Sequence, residues 1–427
     1  MFGWEFPPHI SGGLGTACHG LTSGLLDHGV DVTFVVPHLN GDEDKQKFRL
    51  MDAGKIEIDL NNPLLQEKLE RLTYISVNSG IIPYMDPETF TMINQENGNS
   101  TFRQYDKMSF GMSGIYGRDL MKEVSEYAIV ASQIASEFAH DIIHAHDWLT
   151  FPAGVEAKLI SGKPLVVHVH ATEFDRSGDQ INPTVYEVEK RGMEMADLII
   201  VVSAYTGKIL TDRYGIEPGK IRVVHNAVIQ NKQHPTHARN EKGSKKTVTF
   251  LGRVTFQKGP DYFIEAAEKI LRKFPDTRFV MAGSGDMLKG IVRKTAEMRI
   301  GSRFHFTGFL EGEETEIMYE MSDVYVMPSV SEPFGITTLE AIRSGVPVVI
   351  SKQSGVSEIL SHAIKVDFWD TDALADAVCG LMNHKSLHDI SVRENSKDIK
   401  NIVWKHSAKK VKDIYHALTP SKNKLQE

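Results

Sequence analysis

The sequence predicts an α/β protein of two Rossmann-like, doubly wound domains with a cleft between them. Three observations carry that expectation. Short apolar runs of strand length alternate with helical patterns along nearly the whole chain. The runs are continuously apolar rather than alternating, as expected of parallel strands covered on both faces. At 427 residues, the chain also exceeds the length over which one hydrophobic core keeps growing.

In the first half, residues 30–36, 73–77, 141–144, 164–169 and 198–202 read as strands, with helices over 117–139 and 185–195. A doubly wound sheet opens with a strand of five or six residues before its first glycine-rich turn. Only Met1–Trp4 precedes such a turn here, so the first strand is expected to be cut short at the N-terminus. Residues 84–114 are irregular, with an Asn-rich piece, and read as a functional lid or a disordered stretch. Residues 229–246 are polar, basic and aperiodic, which marks a linker between a domain at 1–228 and one at 247–403. The second half repeats the alternation, with strands at 247–251, 278–282, 303–307, 324–327 and 346–350 and a helix over 261–274 among others. Residues 404–418 have helical spacing and carry Lys405, Lys409, Lys410 and Lys412.

Composition narrows the function. A net charge of −8 disfavours a dedicated nucleic-acid binder, whose phosphate contacts need clustered basic surface. Two distant cysteines, Cys18 and Cys379, form neither a disulfide framework nor a four-cysteine metal site. No apolar run approaches the ~20 residues of a spanning helix. The N-terminus lacks a basic stretch followed by an apolar one. The expected compartment is the cytoplasm, without an integral membrane segment.

Four segments could carry chemistry. Ser11-Gly-Gly-Leu-Gly-Thr-Ala-Cys-His-Gly20 is a glycine-rich turn opening a helix, where backbone N–H groups can approach a phosphate. It misses the dinucleotide fingerprint because Cys18 stands where glycine or alanine should; Gly283-Ser-Gly285 is a second near miss. Ser331-Glu-Pro-Phe-Gly-Ile-Thr-Thr-Leu-Glu-Ala-Ile342 is the strongest signal. Glu332 falls in a loop at a strand's carboxyl end. Gly335, Ile336, Thr337 and Thr338 offer N–H groups to an anion, and Glu340 leans back toward the helix start. Gly252-Arg-Val-Thr-Phe-Gln-Lys-Gly259 places Arg253 and Lys258 at another strand's carboxyl end, where two cations would neutralise a diphosphate.

The fourth signal is His144-Ala-His-Asp-Trp148 with His168-Val-His-Ala-Thr-Glu173. Alternate histidines share a strand face and can ligate metal. The absence of a His-Glu-x-x-His helix or cysteine cluster favours His170 and Asp147 as polar groups facing a substrate, with no metal.

Together, Ser-Gly-Gly-Leu, His-Ala-His-Asp-Trp, Gly-Arg-x4-Lys-Gly and Glu-x7-Glu, in this order, resemble the retaining GT-B nucleotide-sugar glycosyltransferases, the group 1 and glycogen or starch synthase type. The resemblance implies a hexosyltransferase moving a sugar, taken as glucose, from an ADP-glucose or UDP-glucose type donor to a carbohydrate acceptor, without a cofactor. Mannosyl or other hexosyl transfer to a polysaccharide, glycolipid or small acceptor is the alternative. Arg253 and Lys258 would bind the diphosphate, Glu332 the sugar hydroxyls and Glu340 the ribose. The N–H groups of Gly335 through Thr338 would cradle the distal phosphate, and Gly12 and Gly13 would close over the phosphates. His170 and Asp147 would face the sugar, and helix 404–418 would cross back to the first domain. Retention is attributed in this family to front-face attack, with the leaving phosphate taking the acceptor's proton. Ile10 stands where bacterial glycogen synthases carry lysine, so the wider family matches better than its synthase branch.

Three rivals are weaker, one of them a non-enzymatic sugar-binding or scaffold protein on the same fold, against which Arg253, Lys258, Glu332 and Glu340 together argue. Asp42-Glu-Asp44 and Asp370-Thr-Asp372 fit the Asp-x-Asp pattern of metal-dependent transferases, but one lies in a charged loop and the other at a helix start. A nicotinamide oxidoreductase needs an acid after its second strand, where this chain has Val36-Pro-His38.

Overall fold

The computed structural model describes residues 1–9, 12–59, 107–117, 119–229 and 245–419. The expected strand at 73–77, most of the irregular segment and most of the linker lie outside them.

In the first lobe, β1 (Thr33–Val36) pairs in parallel with β2 (Arg49–Asp52), and β3 (Ile143–His146), β4 (Leu165–Val169), β5 (Leu198–Val201) and β6 (Ile221–Val223) follow in register. The N-terminus joins the two groups. Phe2 bridges both Val35 and Ala145 in parallel, donating its N–H to the His144 carbonyl at 2.7 Å. Phe2 and its neighbours therefore occupy the central slot of the sheet. The second lobe orders its strands β9 (Phe304–Gly308), β8 (Arg278–Ala282), β7 (Thr247–Leu251), β10 (Val324–Met327), β11 (Val348–Ser351) and β12 (Ile364–Val366), all parallel. That is the 3-2-1-4-5-6 order of a doubly wound sheet, and it reverses direction between β7 and β10.

The strand interiors bear out the apolar reading. β3, β4, β10 and β11 are buried at every position, so helices cover both faces. The helix Pro260–Lys273 shows how the second lobe is clothed. Proline at its start needs no N–H partner, and Phe263, Ile264, Ala267 and Ile270 form the face buried on the sheet. The predicted and observed bounds agree within about three residues for most elements. Strands Arg49–Asp52, Ile221–Val223 and Ile364–Val366, short and only partly buried, carry too weak a pattern to read.

The helix Trp404–Leu418 packs on the first lobe rather than the second. It lies against α1 (Gly13–Asp27), where glycines admit it closely: a Cβ on Gly20 would sit 2.2 Å from the Trp404 indole, and one on Gly24 2.8 Å from the Ala408 methyl. The Tyr415 hydroxyl reaches His144 Nδ1 at 2.5 Å. No helix among the described residues is long and apolar enough to cross a membrane.

Candidate active site

A cleft of about 740 Å³ lies between the lobes, at the carboxyl ends of both sheets. On the second lobe it sits where strand order reverses, which is where open α/β sheets bind ligands. The loop after β7 supplies Arg253 and Lys258, and the loop after β10 supplies Glu332 and Gly335. Lys258 Nζ lies 2.6 Å from Glu332 Oε2, and the Ser329 hydroxyl donates to the same oxygen at 3.2 Å. The Glu332 backbone is clamped on both sides, its N–H donating to the Gln353 carbonyl and its carbonyl accepting from the Gly355 N–H. This carboxylate is therefore held rigidly, with only 7% of its side chain exposed.

Gly335 opens the helix Ile336–Arg343 in a left-handed conformation, φ 109°, and no side chain caps that end. The uncapped N–H groups face the cleft that Gly335, Ile336 and Thr337 line. Thr338 is a correction: its N–H donates to the Gly335 carbonyl at 3.1 Å, its side chain is buried against Met327, and it does not line the cleft. The first turn is tightened by that i to i+3 bond, which consumes the donor. Glu340 also lines the cleft, with the buried Tyr319 hydroxyl 3.4 Å from Oε2 and 2.9 Å from the Thr337 carbonyl.

Gly283 explains one near miss. Its φ is 131°, and a Cβ there would lie 1.9 Å from the Gly252 carbonyl oxygen. Glycine is required because the β8 turn presses on the loop that carries Arg253.

The first lobe contributes Gly12, Gly13, Asp147 and His170. Gly12 and Gly13 stand at the uncapped start of α1 with open space where Cβ atoms would be. Asp147 is buried and left-handed, φ 61°, a conformation that costs a non-glycine residue about 1 kcal/mol or more. Its Oδ1 accepts from the backbone N–H groups of His170 at 2.6 Å and Ala171 at 3.3 Å. Burial pushes its carboxyl up to about 6, against the pull of those hydrogen bonds. One oxygen of Asp147 is thus spent on shaping the His170 loop.

Behind His170 lies a feature invisible in the sequence. His144, His146, His168 and His170 pile into a stack with neighbouring ring centroids 4.3–5.4 Å apart, because β3 and β4 pair His146 opposite His168. Burial holds all four imidazoles far below their usual protonation range, His170 at about 3. Ring nitrogens of His144, His146 and His168 lie within 4.8 Å of one another, as a metal site requires. The rings, however, are nearly parallel, 19° between His144 and His146 and 13° between His144 and His168. Lone pairs in parallel planes run side by side and do not converge tetrahedrally on one ion. Neither Asp-x-Asp segment forms a cleft site. Asp44 accepts from the N–H groups of Gln46 and Lys47, and Asp370 caps a helix through the Ala373 N–H.

Residues that sequence reasoning passed over tie the lobes together around Glu332. Ser331 donates to Asp175 at 2.5 Å and meets the Tyr205 hydroxyl at 3.0 Å. Ser203 donates to the Pro333 carbonyl at 2.6 Å. Glu358 accepts from the N–H groups of Ala204 and Tyr205 and pairs with His225. Arg176 lines the cleft with its guanidinium held between Glu173 and Glu189.

The comparisons bear directly on this arrangement. Residues 232–398 match the family model described as glycosyl transferases group 1, and residues 118–231 match the glycosyltransferase family 4 model. The chain belongs to the group 1 glycosyltransferases. An uncharacterized glycosyltransferase of Methanocaldococcus jannaschii is 26% identical to this transferase across 97% of both chains. The glycogen synthase of Mycobacterium tuberculosis is also 26% identical, over 84% of this chain and 78% of its own. Among solved structures, sucrose-phosphate synthase from Thermosynechococcus elongatus superimposes with a TM-score of 0.70 at 17% identity, covering 96% and 94% of the two chains. Anabaena HepE in complex with UDP-glucose superimposes at 0.60 with 18% identity, over 70% of this transferase and 82% of HepE. These likenesses establish the GT-B fold of the group 1 transferase.

Proposed function

We propose that this transferase moves a hexose, most simply glucose, from a UDP- or ADP-sugar to a carbohydrate acceptor with retention at the anomeric carbon and without a metal ion. The convergence of Lys258, Arg253, Glu332 and the uncapped helix end at Gly335 on one interlobe cleft carries this reading. Relatives named as a glycogen synthase and as a UDP-glucose complex support the glucose donor.

Breaking the anomeric C–O bond leaves positive charge on the sugar and negative charge on the diphosphate. Arg253, Lys258 and the helix N-terminus stabilise the second. Lys258 has three N–H donors, so it can keep Glu332 while reaching a phosphate oxygen. Glu332, oriented by Lys258 and Ser329, retains lone pairs for the sugar hydroxyls. His170 hydrogen-bonds the sugar from the opposite wall, and Asp147 fixes its loop. Glu340 takes the ribose. The departing phosphate accepts the acceptor's proton, so no protein base is assigned. Arg253, Lys258 and the helix end supply positive charge of the kind a divalent ion would otherwise bring to the diphosphate.

The test is incubation with a panel of nucleotide sugars and carbohydrate acceptors, with and without chelator, followed by nucleotide release and NMR of the product anomer. Release that is donor-selective, chelator-resistant and yields the donor's anomer is expected. No release from any nucleotide sugar, or an inverted product, overturns the reading. Within it, Glu340→Ala should raise the donor KM about tenfold, the loss of roughly 1.4 kcal/mol from a charge-assisted hydrogen bond, with kcat little changed. Initial rates across donor concentrations check this, and an unchanged KM removes Glu340 from the ribose site.

A further inference from the structure

We infer that His146 acts as a positioning residue that locks His170 in the tautomer carrying its proton on Nδ1, so that the cleft presents an uncharged imidazole donor. The inference rests on the placement of His170 against the substrate given above, and goes beyond it by assigning the proton and the residue that sets it.

The argument is one of hydrogen-bond accounting. His146 Nδ1 and His170 Nε2 lie 3.1 Å apart, so one of them donates to the other. His146 is fully buried, and its Nε2 has no partner among the described residues. A neutral imidazole carries one N–H and one lone pair. If His146 accepted from His170, its own proton would sit on the orphaned Nε2, leaving a donor buried and unsatisfied. If His146 donates from Nδ1, the orphan is only a lone pair, the cheaper of the two defects. His146 Nδ1–H therefore donates to His170 Nε2, and His170, once neutral, must hold its proton on Nδ1.

Neutrality follows from the surroundings. His170 is packed by His146 and His168 in the stack, and Cys18 of α1 lies within 4.8 Å of the His146 and His170 nitrogens. The Asp147 carboxylate is the nearest acid, and it engages the His170 backbone. Beyond them stand His144, bonded to Tyr415 of the last helix, and the N-terminal amine. Burial dominates this set and keeps His170 uncharged. A free imidazole favours the proton on Nε2, so the bond from His146 reverses the ordinary preference. The result is a donor on a residue that lines the cleft, and one unable to serve as a base at that nitrogen.

Long-range ¹H–¹⁵N correlation on the full chain labelled with ¹⁵N-histidine, with His170→Asn for assignment, reads the tautomer directly. The expected spectrum gives His170 a protonated Nδ1 and a bare Nε2, unchanged from pH 6.5 to 9. His146→Leu should shift His170 to the Nε2–H form and lower kcat about tenfold, while His146→Gln, which still offers an N–H, should restore the Nδ1–H signature. A wild-type Nε2–H form, or a doubly protonated ring at pH 7, overturns the inference even if the leucine variant fails to fold. The spectrum needs no substrate, so failure of the sugar-transfer reading would show separately as absent turnover with the Nδ1–H signature intact.

Discussion

Lys258→Ala should lower kcat by about 10²–10³ while the protein remains folded. The lysine is in direct contact with Glu332, at 2.6 Å, and it stands on the cleft beside Arg253 and the Gly335 helix end. Preorganised donors of this kind contribute most where charge develops on the leaving group, and removing one costs roughly that factor. Stability should change less. Lys258 is 21% exposed and Glu332 keeps its bond from Ser329, so the uncompensated carboxylate costs about 1–3 kcal/mol. Glu332→Gln in the same background separates the two effects: it should recover that stability without recovering turnover. Full kcat in Lys258→Ala would remove the diphosphate assignment.

Acidification should destabilise the first lobe steeply. His144, His146 and His168 are fully buried and held neutral far below their ordinary range. The sign follows from linkage. The unfolded chain takes up protons near pH 6.5, whereas the native stack does not, so stability is complete above 6.5 and is lost as pH falls below it. Each histidine that stays neutral throughout forfeits about 2 kcal/mol between pH 7 and 5, and three together about 6 kcal/mol as an upper bound. That is a large share of a typical 5–15 kcal/mol. Urea melts at pH 7, 6 and 5 read this directly, with midpoints that fall progressively. Asp147, raised to about 6, and Glu189, raised to about 7, protonate in the native state over the same range and offset part of this loss. The midpoints are therefore compared with those of Asp147→Asn and Glu189→Gln; midpoints flat in these variants as well would mean that the stack is hydrated or charged at pH 7.

Much of the architecture was legible because parallel strands buried on both faces must be apolar throughout. The strands Thr247–Leu251, Arg278–Ala282 and Val324–Met327 could be bounded to the residue, and the loops that follow them hold Arg253, Lys258 and Glu332. Contacts set by register or by the meeting of the lobes were not legible. The histidine stack depends on His146 falling opposite His168, a pairing that no spacing along one strand encodes. Ser331 lay within the strongest motif, yet its partner Asp175 is 156 residues away on the other lobe. Gly283 resembled a nucleotide fingerprint because close approach of two backbones and close approach to a phosphate demand the same residue. Thr338 was overcounted as a donor because pattern alone does not reveal that the first helical turn closes on Gly335.

The seating of Trp404–Leu418 on Gly20 and Gly24 has a consequence for biosynthesis. The amino-terminal half leaves the ribosome long before the segment that seals its flank, so its α1 groove stays uncovered while nearly four hundred residues are being translated. Closing a loop of that size is slow compared with local helix formation. The nascent chain therefore completes its first lobe last, and a protein truncated shortly before Trp404 would be left with an unsealed, sticky seam.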